Sequence, residues 1–123
     1  MIITGTCSWA ERTLIRSGEF YPKEANTAEA RLRYYARFFG AVEVDSVFYA
    51  IPDMKNAALW AGRTPERFTF HIKVFSALTG HGVVTKTLPE DIRRLLPERD
   101  RDRERIYIRD KEVLQAVAQR QKE

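Results

Sequence analysis

AVEVDSVFY, at residues 41–49, is the stretch that decides the fold. Its side chains alternate between apolar and acidic, so that a strand places Val42 and Val44 on one face. Glu43 and Asp45 then lie on the opposite face. An unpaired buried carboxylate is costly, and this acidic face must therefore meet cations, a metal, water or a ligand. The stretch predicts a buried strand with a polar site on one side of it.

A second stretch, FTFHIKV at residues 68–74, alternates in the same way. Its aromatic and aliphatic side chains share one face, while His71 and Lys73 share the other. Near the N-terminus a short β-branched run offers Thr4 and Thr6 as a third polar pair. We therefore expect one face of the sheet to pack on helices and the other to form a polar interior, as in a barrel whose lumen it lines.

Helical patterns separate these strands. Asn26 begins a capping box, and the apolar spacing after it predicts a helix over about 27–39, with Gly40 placed for a left-handed C-terminal cap. Asp53 predicts the start of a second helix over about 54–61. The order strand, helix, strand, helix, strand predicts an α/β fold with a parallel sheet and right-handed crossovers.

The remaining segments carry weaker patterns. Residues 10–24 contain helix breakers and predict a loop. After residue 74 the chain changes character, with a short helix begun at Pro89 and a run of alternating charge at residues 99–105 that is typical of a solvated loop. The final pattern predicts a helix over about 110–121.

Composition limits the size of the domain, the class of ligand and the cellular compartment that we expect. The chain has 123 residues, of which 44% are hydrophobic, enough for the core of one domain. Its formal net charge of +4 is too small to establish nucleic-acid binding by itself. The single cysteine, Cys7, permits no intramolecular disulfide. With no apolar run of about 20 residues and no secretory signal, we expect a cytoplasmic protein that does not enter the membrane.

Six short motifs together resemble the YecE-like family, also called domain of unknown function 72. They occur in the order and spacing of that family and span essentially the whole chain. They are GTCSW at residues 5–9, FYP at 20–22, YYA at 34–36, VEVDSVFY at 42–49, FTFHIKV at 68–74 and LTGHG at 78–82. Two positions depart from the family pattern: Cys7-Ser8 stands where Ser-Gly is common, and Asp45 stands where Asn is common.

The resemblance implies a TIM-type barrel whose biochemical function is not established. A similarity of fold to endonuclease IV and xylose-isomerase-like barrels points to nucleic acid or phosphate esters as ligands, although fold analogy is a weak warrant for activity. A TIM barrel needs about 250 residues and eight strands. The chain therefore resembles only the N-terminal half of the family barrel.

The predicted fold class is α/β, a partial TIM-type (β/α) barrel forming a single domain over residues 1–123. The expected strands cover about residues 2–6, 41–47 and 68–74, and the expected helices cover about residues 27–39, 54–61 and 110–121. Three parallel strands would leave an exposed edge and an uncovered polar face. We expect either a fragment of a longer barrel, or a chain that completes its sheet by self-association or with a complementary half-barrel chain.

The candidate catalytic residues are Glu43, Lys73 and His81. Glu43 suits a general base or a metal ligand, and Lys73 suits the stabilisation of an anion or of developing negative charge. A buried Glu43 and Lys73 ion pair that fixes strand register is the competing structural interpretation. His81, between two glycines past the third strand, suits acid/base chemistry or a phosphate contact, against the alternative of an ordinary loop histidine.

The candidate ligand-binding residues are four polar or aromatic side chains near the strand ends. They are Trp9, Asp45, Tyr49 and His71. Aromatic rings at strand exits suit stacking on a base or a sugar, or else pack the rim of the barrel. Two histidines without a spaced set of ligands are poor evidence for a metal, so no metal site is predicted.

Three functions stay open at this stage. The leading hypothesis is a small anionic or phosphate-bearing ligand held at the C-terminal ends of the strands. The alternatives are a nucleic-acid-binding protein and a non-catalytic interaction remnant of a barrel. Whether the chain is an enzyme, and which cofactor it uses if any, is not determined by these residues.

Overall fold

The computed structural model describes all of residues 1–123, and in it the chain divides into two compact units. The first unit comprises Met1–Asp45 together with Asp53–Ile72, and the second comprises Ser46–Pro52 together with Lys73–Glu123. No helix is long and apolar enough to cross a membrane.

The first unit is organised around a three-stranded parallel sheet, as the sequence pattern predicts. Its strands are β1 (Gly5–Cys7), β2 (Ala41–Val44) and β3 (Thr69–Ile72), in the order β1, β2, β3. Each strand is shorter than predicted. Strand β2 ends where a 3₁₀ turn begins at Asp45, and β1 begins at Gly5, with Ile2 and Ile3 exposed ahead of it.

Three helices accompany this sheet: α1 (Arg12–Ser17), α2 (Ala28–Tyr35) and α3 (Met54–Gly62). Helix α1 corrects the expected loop at residues 10–24. The side chain of Glu11 caps it by accepting the Leu14 N–H at 3.0 Å. The backbone N–H groups of Thr13 and Leu14 lower the pKa of this carboxyl group, because they stabilise its charged form.

The two ends of α2 differ from those predicted, whereas α3 begins where predicted. Thr27, not Asn26, caps α2, since its hydroxyl accepts the Ala30 N–H at 3.1 Å. The helix stops at Tyr35, well before Gly40, and Gly40 does not adopt the left-handed conformation. Asp53 caps α3 by accepting the Asn56 N–H at 2.8 Å.

Helix α2 is attached to the sheet through one phenol group. The hydroxyl of Tyr35, a fully buried residue, accepts the Thr6 N–H at 2.7 Å and donates to the Ala41 carbonyl at 3.2 Å. It also lies 2.9 Å from the Thr6 hydroxyl oxygen. Thr6 therefore faces the helix layer, together with its register partner Val42, and the expectation that it joins the polar face is wrong.

The apolar face of β3 is less covered than the alternating pattern suggested. Phe70 is half-buried and meets the Trp60 ring of α3 at 6.4 Å, but Ile72 is 44% exposed. Because β3 has a neighbour only on its β2 side, it forms an edge of the sheet. The packing of this face on helices thus holds for the first part of the strand only.

The second unit has a hydrophobic core of its own. A two-stranded antiparallel sheet pairs β4 (Val83–Val84) with β5 (Arg105–Ile106). Three helices complete the unit: α4 (Glu90–Leu95), α5 (Glu98–Arg101) and α6 (Lys111–Lys122). The buried core side chains include Phe75, Val83, Ile92, Ile106 and Val117.

The sequence predicts the helices of this unit better than its charged run. Helix α4 begins directly after Pro89, and α6 falls within the expected range of about 110–121 apart from its last residue. Asp110 caps α6 by accepting the Glu112 N–H at 2.9 Å, a role that the sequence pattern does not predict. Residues 99–105 contribute to α5 and β5 instead of forming a continuous loop. They remain largely exposed, with Asp100 and Arg103 joined by an ion pair at 3.4 Å.

Candidate functional site

One residue from each parallel strand forms a row across the sheet in the first unit. Cys7 of β1 lies at the register position of Glu43 of β2, and Glu43 lies at that of His71 of β3. The Cys7 thiol Sγ is 3.7 Å from the Glu43 carboxylate Oε1. Since side chains at paired register positions share a face, this row lies opposite the face that holds Thr6 and Val42. We call Cys7, Glu43 and His71 the polar row.

Access to the polar row differs along it. Cys7 and His71 are exposed, and Glu43 is half-buried. Cys7 also lines an open groove of about 320 Å³, together with Thr6 and the Glu11, Thr13, Leu14 and Ser17 side chains near helix α1. Cys7 therefore borders this groove and contacts the carboxylate of Glu43, which is not itself one of the lining residues.

Ser8 follows β1 in a strained conformation. Its φ of +67° is in the left-handed region that favours glycine, and it is the one non-glycine residue with a positive φ. The Ser8 N–H donates to the Glu43 carbonyl at 2.9 Å, and the Ser8 hydroxyl accepts the Ala10 N–H at 3.1 Å. These bonds fix the turn that leads the chain away from the polar row.

Trp9 lies among aromatic rings. Its ring centroid is 5.7 Å from that of Trp60 and 6.5 Å from that of Phe70, both with edge-to-face geometry. The Trp9 carbonyl accepts the Tyr21 hydroxyl, and the buried Trp9 Nε1 has no hydrogen-bond partner. Burial and the neighbouring Tyr35 raise the pKa of Tyr21 to about 12. Ring packing accounts for Trp9, and its role in ligand binding stays a prediction.

The remaining predicted site residue of the first unit is Asp45. It lies outside β2, at the start of the 3₁₀ turn Asp45–Phe48, and is half-buried. Its expected place beside Glu43 on the strand face is therefore corrected. Glu43 and His71 are the two predicted residues that the structure brings together in this unit.

Three predicted residues belong to the second unit. Lys73 is expected within β3, but the strand ends one residue earlier, at Ile72. The Lys73 carbonyl accepts the Gln121 Nε2–H at 3.1 Å. His81 is exposed; its Nδ1 lies 2.9 Å from the Thr79 hydroxyl, and its ring lies 5.4 Å from Phe48. Tyr49, 70% exposed, is a neighbour of the same Phe48 ring at 5.2 Å.

Cys7 is the site residue that sequence reasoning missed. The β-branched run at residues 2–6 suggested a strand that ends at Thr6, which places the threonines on the polar face. Gly5 is a signal for the strand contact, since a Cβ there would lie 2.1 Å from the Ala41 carbonyl oxygen, but it does not indicate the face that Cys7 takes. No group of three His, Cys, Asp or Glu side chains is placed to hold a metal ion.

Comparison with known proteins gives a family and one curated relative. A family model described as "Protein of unknown function DUF72" matches residues 3–120. The "UPF0759 protein YunF" of Bacillus subtilis (strain 168) is 36% identical over 81 residues, which are 66% of this chain and 27% of YunF. The chain thus spans about a quarter of the length of that relative. No solved structure matches this chain.

Proposed function

The chain belongs to the DUF72 family of proteins of unknown function, and on that premise we propose that it binds a small anionic ligand at the carboxyl ends of its parallel strands. The observation that carries the proposal is the polar row, with Cys7 and Glu43 in contact and His71 on the next strand. Ligands of open parallel sheets and of TIM barrels bind at this edge.

Each member of the polar row has a distinct proposed role. The half-buried carboxylate of Glu43 accepts a hydrogen bond from a ligand hydroxyl and is the candidate for proton transfer. His71, which is exposed, donates to the anionic group of the ligand when its imidazole is protonated. Cys7 contacts Glu43 and borders the groove, so bound ligand would shield its thiol.

Alkylation of Cys7 provides a direct test, because it is the single cysteine. We expect ribose 5-phosphate, used as a probe, to slow the reaction of Cys7 with iodoacetamide. Glu43→Gln should abolish this protection with the fold intact. Glu24→Gln, which removes the same charge at an exposed position of the first unit, should leave it unchanged. An alkylation rate that ribose 5-phosphate never alters would refute the proposal.

A second candidate anion site lies in the second unit, around His81. The Thr79 hydroxyl lies against Nδ1 of the imidazole, so that the protonated ring has its Nε2–H available to donate to an anion, and the Phe48 ring supports one side of it. Exposed Tyr49 offers a hydroxyl group nearby on the same ring cluster. The His81 proton signals in NMR, followed during a titration with inorganic phosphate, test this site; the absence of any shift in those signals would remove it.

The barrel itself also belongs to the proposal. The strand order β1, β2, β3, the parallel pairing and the exposed Ile72 on the β3 edge support an arrangement in which a further strand pairs with β3, from the same polypeptide, a second copy or another chain. Nucleic-acid binding is the alternative function. It is less favoured because carboxylates neutralise several arginines, as Glu29 does for Arg33 at 3.0 Å and Arg63 at 3.4 Å.

A further inference from the structure

We propose that a second site in the first unit, at the amino-terminal ends of its strands, binds a nucleoside phosphate. A pocket of about 220 Å³ is lined by residues 36–40 and by Pro65, Arg67 and Phe68. Gly40 directly precedes β2, and Phe68 directly precedes β3. The pocket therefore lies at the end of the sheet opposite that of the proposed ligand site, and this inference is independent of that proposal.

The charge of the pocket selects an anion. Arg37 and Arg67 line it, and no acidic residue does. The guanidinium carbon of Arg37 lies 5.7 Å from the ring centroid of Tyr34 and 5.8 Å from that of Phe38, which holds the cation in a cation–π arrangement. Two guanidinium groups with fixed planar donors match the geometry of a phosphate group.

The size of the pocket limits what it encloses. A volume of about 220 Å³ is below the range of roughly 300–1,000 Å³ typical of pockets that enclose a drug-sized ligand. It has room for a phosphate group with part of a sugar, so the remainder of a larger ligand must lie outside.

Phe38 indicates what that remainder is. The residue lines the pocket and is 57% exposed, so part of its ring surface is accessible to a ligand. Every nucleic-acid base has a flat face that stacks on such a ring. The pocket thus combines a phosphate group between Arg37 and Arg67 with a base stacked on Phe38.

Arg67 distinguishes this site from ordinary ring packing. Phe38 and Arg37 also belong to the aromatic cluster on α2, in which the Phe20 and Phe38 centroids are 5.8 Å apart, so their positions have a structural explanation. Arg67 is exposed and takes no part in those ring contacts. Its removal therefore affects an anion in the pocket and leaves the cluster intact.

Titration calorimetry of the whole chain with adenosine monophosphate tests the inference. We expect saturable binding that Arg67→Met weakens about tenfold or more, because charge-assisted hydrogen bonds to the phosphate are lost. Arg16→Met is the matched control, since it removes the same charge from an exposed position on α1. Phe38→Leu should weaken adenosine monophosphate roughly fivefold or more and leave the binding of inorganic phosphate unchanged.

Several results would overturn the inference. They are the absence of binding by adenosine monophosphate, equal losses in the Arg16 and Arg67 variants, and an effect of Phe38→Leu on inorganic phosphate as large as on the nucleotide. If Phe38→Leu unfolds, the comparison of Arg67→Met with Arg67→Lys decides, because lysine retains the charge without the planar donors. Arg67→Met should leave the protection of Cys7 by ribose 5-phosphate unchanged, which separates failure here from failure of the proposed function.

A 5′-phosphorylated oligonucleotide identifies the source of the ligand. If it displaces adenosine monophosphate, the site recognises nucleic-acid ends; if it does not, the site recognises the free nucleotide. Both results sustain recognition of a phosphate together with a base.

Discussion

The thiol Sγ of Cys7 and the carboxylate Oε1 of Glu43 lie 3.7 Å apart across two neighbouring parallel strands. This contact depends on register, since a slip of one residue in β1 would place Thr6 beside Glu43 and turn Cys7 towards α2. The functional face of the sheet is thus set by how β1 aligns with β2, and the predictions on Gly5 and Ser8 concern the residues that fix this alignment.

Gly5→Ala should destabilise the first unit by about 3 kcal/mol or more, because backbone must move to admit a methyl group. The added Cβ would lie 2.1 Å from the Ala41 carbonyl oxygen. Gly62→Ala is the control: no atom lies within 4 Å of its added Cβ, and at the end of α3 the change should stabilise by about 0.4–1 kcal/mol. Urea unfolding measures the free energy of unfolding of both variants. A Gly5→Ala variant as stable as the unchanged protein would contradict the close approach of β1 to β2.

Ser8→Gly and Ser8→Ala should separate backbone strain from hydrogen bonding. Both variants lose the bond that the Ser8 hydroxyl accepts from the Ala10 N–H, but only glycine relieves the positive φ of 67°. We expect the glycine variant to be more stable than the alanine variant by about 1 kcal/mol in thermal or urea unfolding. Equal stabilities would mean that Ser8 does not adopt this conformation in solution.

Alkaline pH should destabilise the chain through Tyr21. Burial and the neighbouring Tyr35 raise the pKa of Tyr21 to about 12, above the value of about 10 for an unfolded chain. The folded state then holds the proton more tightly, so the contribution of Tyr21 to the free energy of unfolding is constant below about pH 10 and falls as the pH rises towards 12. Stability measured against pH should show this decline, and Tyr21→Phe should lack it.

Thr85→Val should stabilise the second unit by about 1 kcal/mol. Thr85 is 3% exposed, and its hydroxyl oxygen has no hydrogen-bond partner, so valine removes a buried polar group that is not satisfied. Thr79→Val is the matched control. Its hydroxyl donates to the Ser76 carbonyl at 3.0 Å, and its loss should destabilise by up to about 1 kcal/mol. Thermal unfolding that ranks the two variants the other way would count against the prediction.

Local signals in the sequence predicted much of the fold. The family drawn from six motifs is confirmed, as are the parallel sheet and the cap Asp53. A cap needs only one side chain and the backbone two or three residues ahead, so the residues that decide it are adjacent in the sequence. Thr27 shows the limit of this reasoning, because two neighbouring residues were both suitable caps for α2.

The polar row could be predicted only in part, because it depends on partners distant in sequence. Glu43 and His71 follow from alternation within their own strands, whereas Cys7 follows from the pairing of β1 with a strand more than thirty residues later. A three-residue strand is too short for its own pattern to fix that pairing. The exposure of Ile72 likewise reflects the absence of a neighbour beyond β3, which an apolar alternation does not reveal.

The phenol of Tyr35 gives one strand amide an unusual reporter role. The Thr6 N–H donates to the Tyr35 hydroxyl of α2 and also lies within the paired ladder of β1 and β2. Its exchange with deuterated solvent therefore requires both the departure of α2 and the separation of the strands, whereas the Ser8 N–H, bonded to the Glu43 carbonyl, exchanges when the two strands separate. The two amides, two residues apart, would thus distinguish the opening of the sheet alone from its opening together with the undocking of the helix.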